Sequence, residues 1–228
     1  MLLGGCADTR RDERGVYVVR PHDTVYSIAW RYGLDFRDLA RWNNIGPDFR
    51  IAVGQTLVLA PVAPVGAAAP VGAAASVGAA VPAAPAPPLK VPKPPPSTAS
   101  AKSPPIASPL SWVWPTDRMS PSQPVASGGI LLPGRVGQDI RAASSGRVVY
   151  KGSGIRGYGN LIIIKHGENL LSAYAHTRAP LVHEGQEVAL GQVIAHMGEA
   201  APQKPVLYFE IRRNGKPVDP LIFLPAIK

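Results

Sequence analysis

Residues 61–111 constrain this chain more than any other feature. Fourteen of those 51 positions are Pro, and Ala supplies much of the remainder. A six-residue period runs through Pro64-Val-Gly-Ala-Ala-Ala, Pro70-Val-Gly-Ala-Ala-Ala and Ser76-Val-Gly-Ala-Ala-Val. Pro removes backbone donors and Ala offers little surface to bury, so the stretch cannot build a core. It reads as a disordered, extended Pro/Ala-rich linker with polyproline II character. Fully extended at about 3.1 Å per residue it reaches roughly 150 Å, which separates two folded units and lets one roam while the other is fixed. The 228 residues therefore divide into a tail (1–15), a small domain (16–60), the linker (61–111) and a larger domain (112–228).

The formal charge is +9, but it is spread out. Residues 1–60 carry 8 basic and 7 acidic side chains, the linker three Lys and no acid, and residues 112–228 carry 13 basic and 8 acidic side chains. No run of five or six basic residues marks a nucleic-acid footprint. A diffuse positive field suits weak attraction to an anionic polymer such as a cell wall.

In the small domain, Tyr17-Val18-Val19 alternates as a short strand. Asp23 or Thr24 caps a helix in which Val25, Ile28, Ala29 and Tyr32 recur at helical spacing, and Gly33 stops it. Asp35 opens a second helix with Leu39 and Trp42 on one face, and Thr56–Leu59 closes the unit as a strand. This α+β order, strand-helix-helix-strand (βααβ), resembles the LysM module. The matching residues are Tyr17-x-Val19, Asp23-Thr24-Val25, Ile28-Ala29, Gly33, Leu39, Asn43, Ile51, Gly54-Gln55 and Leu57, with His22 where the family usually has Gly. The resemblance implies binding of peptidoglycan, with Asp23, Thr24, Val25, Asn44 and Ile51 flanking a shallow glycan groove. The same residues can equally cap and pack a small domain.

Residues 112–228 read as many short strands with Gly turns, an all-β sheet or sandwich. Asn160–Lys165 has the continuous apolar character of a buried strand, and Asn214-Gly215 is a tight-hairpin signal. Trp114-Pro115, Gly146-x-Val148-Val149, Arg156–His166, Tyr174-Ala-His176, Gly185-Gln-x-Val188, Gly191-Gln192, Phe209-Glu-Ile211 and Pro217–Pro220 make this stretch similar to the LytM-type, lysostaphin-like zinc metallopeptidases. Active members of that family bind zinc through His-x-Gly-Ile-Asp and the second His of His-x-His. Here the first pattern reads Ser127-Gly128-Gly129-Ile130-Leu131 and the second Val206-Leu207-Tyr208. Ser127, Leu131 and Tyr208 stand at the ligand positions, Val206 at that of a catalytic His, and only His176 remains. A catalytic zinc needs about three N, O or S ligands, so neither a metal nor any other cofactor is expected. His166, His176, His183 and His196 show no close ligand spacing for a different site.

Leu3-Gly4-Gly5-Cys6 resembles a lipoprotein lipobox, although the charged and long apolar segments of a signal peptide do not precede it. Cys6 is then a lipidation site. Otherwise it is an ordinary free thiol, since one Cys allows no internal disulfide. A lipobox, LysM module, Pro-rich linker and degenerate LytM-type domain together resemble the NlpD-like lipoproteins of Gram-negative bacteria. That resemblance implies a non-catalytic, lipid-anchored protein on the periplasmic face of the outer membrane, sometimes at the septum. It also implies a partner, an N-acetylmuramoyl-L-alanine amidase activated during daughter-cell separation. Its docking groove is expected around Ser127, Leu131, Tyr158, Tyr174, His176 and Tyr208. Leu131 and Tyr208 can also act simply as plugs of an emptied pocket. A passive wall-bound scaffold and an active endopeptidase are the alternative readings.

Overall fold

The computed structural model describes residues 15–60, 110–117, 123–201 and 204–226, with the side chains of 123 and 201 outside the description. Cys6 and nearly all of the 61–111 linker lie outside the described residues.

The N-terminal module runs β1 (Val16–Val18), α1 (Val25–Tyr32), α2 (Phe36–Trp42) and β2 (Thr56–Val58). Thr24 caps α1: its side chain accepts from Ser27 N while Ser27 returns a bond to the cap, and Gly33 ends the helix at φ 66°. Asp35 caps α2 by accepting from Arg37 N at 2.8 Å. Asn43 ties the end of α2 to β2, accepting from Val58 N at 2.6 Å and donating to Leu39 O and Val58 O. β1 and β2 pair antiparallel with Tyr17 opposite Leu57. His22 sits at φ 67°, the left-handed conformation that a Gly would adopt without strain.

The C-terminal domain contributes β3 (Gln123–Pro124), β4 (Ile130–Pro133), β5 (Asp139–Arg141), β6 (Gly146–Gly152), β7 (Leu161–His166), β8 (Leu170–Ala175), β9 (Thr177–Arg178), β10 (Glu187–Val188), β11 (Val193–Met197), β12 (Glu199–Ala201), β13 (Lys204–Arg213) and β14 (Lys216–Val218). The main sheet is antiparallel in the order β10-β6-β7-β8-β13-β4-β3, with β12 and β14 also pairing with β13. A smaller sheet runs β5-β11-β9. The β13–β14 hairpin turns at Asn214 (φ 51°) and Gly215 (φ 74°), as its sequence requires.

Side chains alternate across the main sheet. Val148, Ile162, Ile164, Tyr174, Phe209 and Ile211 face one apolar cluster, shared with Ile140, Ile194 and Met197 of the smaller sheet. Val149, Leu161, Ile163, Leu171, Ala173 and Ala175 face the other way, into a second cluster. That second cluster is completed by the N-terminal module: Val25, Ile28, Trp30, Phe36 and Leu39 belong to it. The expectation that the linker keeps the modules apart is therefore not met. An apolar sheet face left in water is unfavourable, and the helices of the first module bury it.

Candidate functional site

β13 builds the site because its odd and even positions part. Leu207, Phe209 and Ile211 enter the sandwich core, while Tyr208, Glu210 and Arg212 share the opposite face. The Tyr208 hydroxyl donates to Glu210 Oε2 at 2.6 Å, and it lies 2.9 Å from Ser127 Oγ. Tyr158 also donates to Glu210 Oε2, at 3.4 Å. On the other side, Arg212 Nε donates to Glu210 Oε1 at 2.6 Å. Glu210 is fully buried, so these bonds satisfy a carboxylate that would otherwise be costly to hold there.

Three of the sequence-predicted residues thus come together directly, Ser127, Tyr158 and Tyr208, around a Glu that was not predicted. Leu131 stands opposite Tyr208 in the β4–β13 pairing. Gly129 lets this happen: a Cβ there would lie 2.6 Å from the Tyr208 ring. His176 lies just beyond β8, at φ 60°, with its backbone N–H bonded to Tyr158 O at 2.9 Å. Burial holds its imidazole below the usual histidine range. Tyr174 does not belong to this face. It is fully buried in the sandwich core, where its hydroxyl accepts from Ala143 N at 2.8 Å. The strand period decides this: Tyr174 and Tyr208 occupy opposite faces of neighbouring strands.

The donor set does not fit zinc. Burial first, and then the hydrogen bond to Glu210, push the Tyr208 phenol far above the ordinary tyrosine range, so it is a neutral donor. Ser127 is neutral, and Leu131 offers no donor atom. Among the described residues no group of three or more His, Cys, Asp or Glu could hold a metal ion.

In the N-terminal module, Asp23 accepts from the Tyr17 hydroxyl at 2.5 Å and pairs with Arg31 at 3.2 Å. Thr24 is occupied as the cap, and Val25 is fully buried in the module's core. Asn44 is exposed at φ 53°, and Ile51 is half-buried against the apolar cluster. Of the five residues expected to flank a glycan groove, Asn44 is the exposed polar one, the Asp23 carboxylate is nearly buried and held by Tyr17 and Arg31, and Val25 packs in the core.

Sequence reasoning missed Glu210, Arg212 and Trp30. The first two left a signal: charges at alternate positions inside an otherwise apolar strand mark a polar network on one face. Trp30 left none, because its partners Tyr158 and Arg212 lie in the other domain, the second of them 182 residues away.

Comparisons with known proteins agree with this architecture. The LysM domain family matches residues 17–60, and peptidase family M23 matches residues 126–220. Lipoprotein NlpD/LppB homolog of Pseudomonas aeruginosa is 45% identical, covering 92% of this chain and 77% of that protein. Uncharacterized lipoprotein YgeR of Escherichia coli (strain K12) is 37% identical over 99% of this chain and 89% of its own length. Murein hydrolase activator NlpD of the same organism is 38% identical over 92% and 67% respectively. With a LysM domain at one end and an M23 domain at the other, this chain belongs to the NlpD family.

Proposed function

We propose that this protein is a non-catalytic cell-wall regulator that binds peptidoglycan through its LysM module and activates an N-acetylmuramoyl-L-alanine amidase through the altered cleft. The observation that carries this reading is the Ser127–Tyr208–Glu210–Arg212 network. Where a peptidase needs a metal to polarise a carbonyl and lower the pKa of a water, this chain has a closed set of hydrogen bonds and a neutral phenol. Such a cleft keeps Tyr158 and Tyr208 side by side, with ring centroids 5.5 Å apart, and aromatic groups of this kind suit recognition of a protein partner once uncovered. The relatives named murein hydrolase activators support the regulatory role. An activator must bind the active form of its partner more tightly than the inactive form. The lipoprotein names of relatives, one an outer membrane antigenic lipoprotein, support lipid attachment at the outer membrane, and the same proposal places the lipid on Cys6 and the protein at the septum, facing the periplasm.

Release of dye from labelled peptidoglycan tests the reading. The chain alone is expected to release none, and the chain mixed with its cognate amidase to raise the amidase rate severalfold. Wall binding without stimulation of any such amidase leaves a passive scaffold and overturns the proposal.

A further inference from the structure

The groove assigned to a partner is already covered by the chain itself. Tyr208 is 6% exposed, so nothing can dock on it as the molecule stands. Tyr158 and Arg212 beside it are in turn overlaid by the LysM module. Trp30 of α1 presents its ring edge to Tyr158, with centroids 6.4 Å apart, and the Arg212 guanidinium lies 3.7 Å from the centre of its indole. Arg212 Nη1 also donates to Trp30 O at 2.7 Å. One guanidinium therefore joins Glu210 of the altered cleft to the backbone of the module above it. At the rim, Arg37 donates to Asn214 Oδ1 at 2.7 Å and Arg31 to Gly154 O at 3.3 Å. The fit is close: a Cβ on Gly215 would run into the backbone of Leu34 and Asp35.

Resting on the activator reading above, we propose that the LysM module is a reversible cover for the altered cleft, and that a hydrolase reaches the cleft only after the module has lifted away. Two features favour a cover over a permanent joint. Each module closes its own secondary structure, with capped helices and paired strands, so parting breaks no ladder. The closing polar contacts come from three arginines, two on the module and one to it, that water can satisfy once parted, while the shared apolar cluster around Trp30 keeps the closed form the major one. The Pro/Ala-rich stretch 61–111 is long enough, by its sequence, to allow separation without unfolding either side. The chain's own module thus competes with the hydrolase for the cleft.

A closed form lowers the apparent affinity for a partner by the fraction that is open. If about a tenth of molecules are open, full opening strengthens binding about tenfold. The test uses the full chain with Cys6→Ser, Arg37→Cys and Asn214→Cys, bridged by a bis-maleimide with a two-carbon spacer, beside a full chain carrying Trp30→Ala. Bridging is expected to go to completion in the native protein and to abolish amidase stimulation. Trp30→Ala is expected to raise the radius of gyration, to increase binding of the dye ANS to the uncovered face, and to stimulate the amidase at about tenfold lower concentration. Failure of residues 37 and 214 to bridge, or equal stimulation by bridged and unbridged chains, overturns the cover. Should neither chain stimulate an amidase, the activator reading fails separately. The cover is then decided by the dye and scattering: unchanged values for Trp30→Ala against the bridged chain refute it. Sedimentation with peptidoglycan checks that Trp30→Ala keeps a folded module, and the bridged chain decides alone if it does not.

Discussion

At the scale of single residues, Glu210 organises the altered cleft. Its two oxygens are divided between Arg212 on one side and the Tyr208 and Tyr158 hydroxyls on the other. Tyr208→Phe removes the 2.6 Å bond and leaves Glu210 Oε2 with only the longer contact to Tyr158. A loss of about 1.5–3 kcal/mol in unfolding free energy is expected, read by urea denaturation, because the bond is to a buried charge. His166 is the other buried polar residue with a measurable signature. Its Nδ1 lies 2.7 Å from Ser145 O and its Nε2 2.7 Å from Ser172 Oγ, and burial lowers its pKa to about 4. The unfolded chain takes up this proton near pH 6.5 and the folded one only near 4, so the unfolded state binds more protons between those values. Stability from this residue is complete above pH 6.5 and falls by about 3 kcal/mol as the pH drops towards 4. Denaturation at pH 7 and pH 4.5 should show that fall, and His166→Asn should flatten it.

At the scale of elements, the sequence carried most of what local chemistry decides. Thr24, Gly33 and Asp35 mark helix ends that caps and a left-handed residue impose. Asn214-Gly215 marks a hairpin that few other residue pairs can turn. The run Leu161-Ile162-Ile163-Ile164 marks a strand buried on both faces, since period-2 alternation would otherwise show polar residues. What that run cannot say is which element lies on each face, because both covers come from distant parts of the chain. The placement of Tyr174 failed for a related reason. Its neighbour in the sequence motif, His176, lies beyond the end of β8, so the two do not share the strand's alternation. Asn43 shows how much one residue can hold at this scale. Its side chain makes three hydrogen bonds linking α2 to β2. Asn43→Ala leaves Val58 N without that acceptor and is expected to cost about 2 kcal/mol, seen as a lower first transition in thermal unfolding.

At the scale of the whole molecule, two families of contact meet at one sheet. One face closes a β-sandwich around Tyr174, Phe209 and Ile211. The other presents Tyr208, Glu210 and Arg212 to the helices of a wall-binding module. Arg212 and Tyr158, which hold Glu210 in the altered cleft, therefore also contact Trp30 of the LysM module. On the proposed reading, recognition of the wall and recognition of a hydrolase are linked through one surface. This linkage is meaningful only if the cleft recognises rather than cuts. Elemental analysis of the purified chain after incubation with zinc and gel filtration, paired with muropeptide release by the chain alone, tests that most directly. Zinc well below one ion per chain, and no release, are expected. One retained zinc per chain with release that a chelator stops would contradict this.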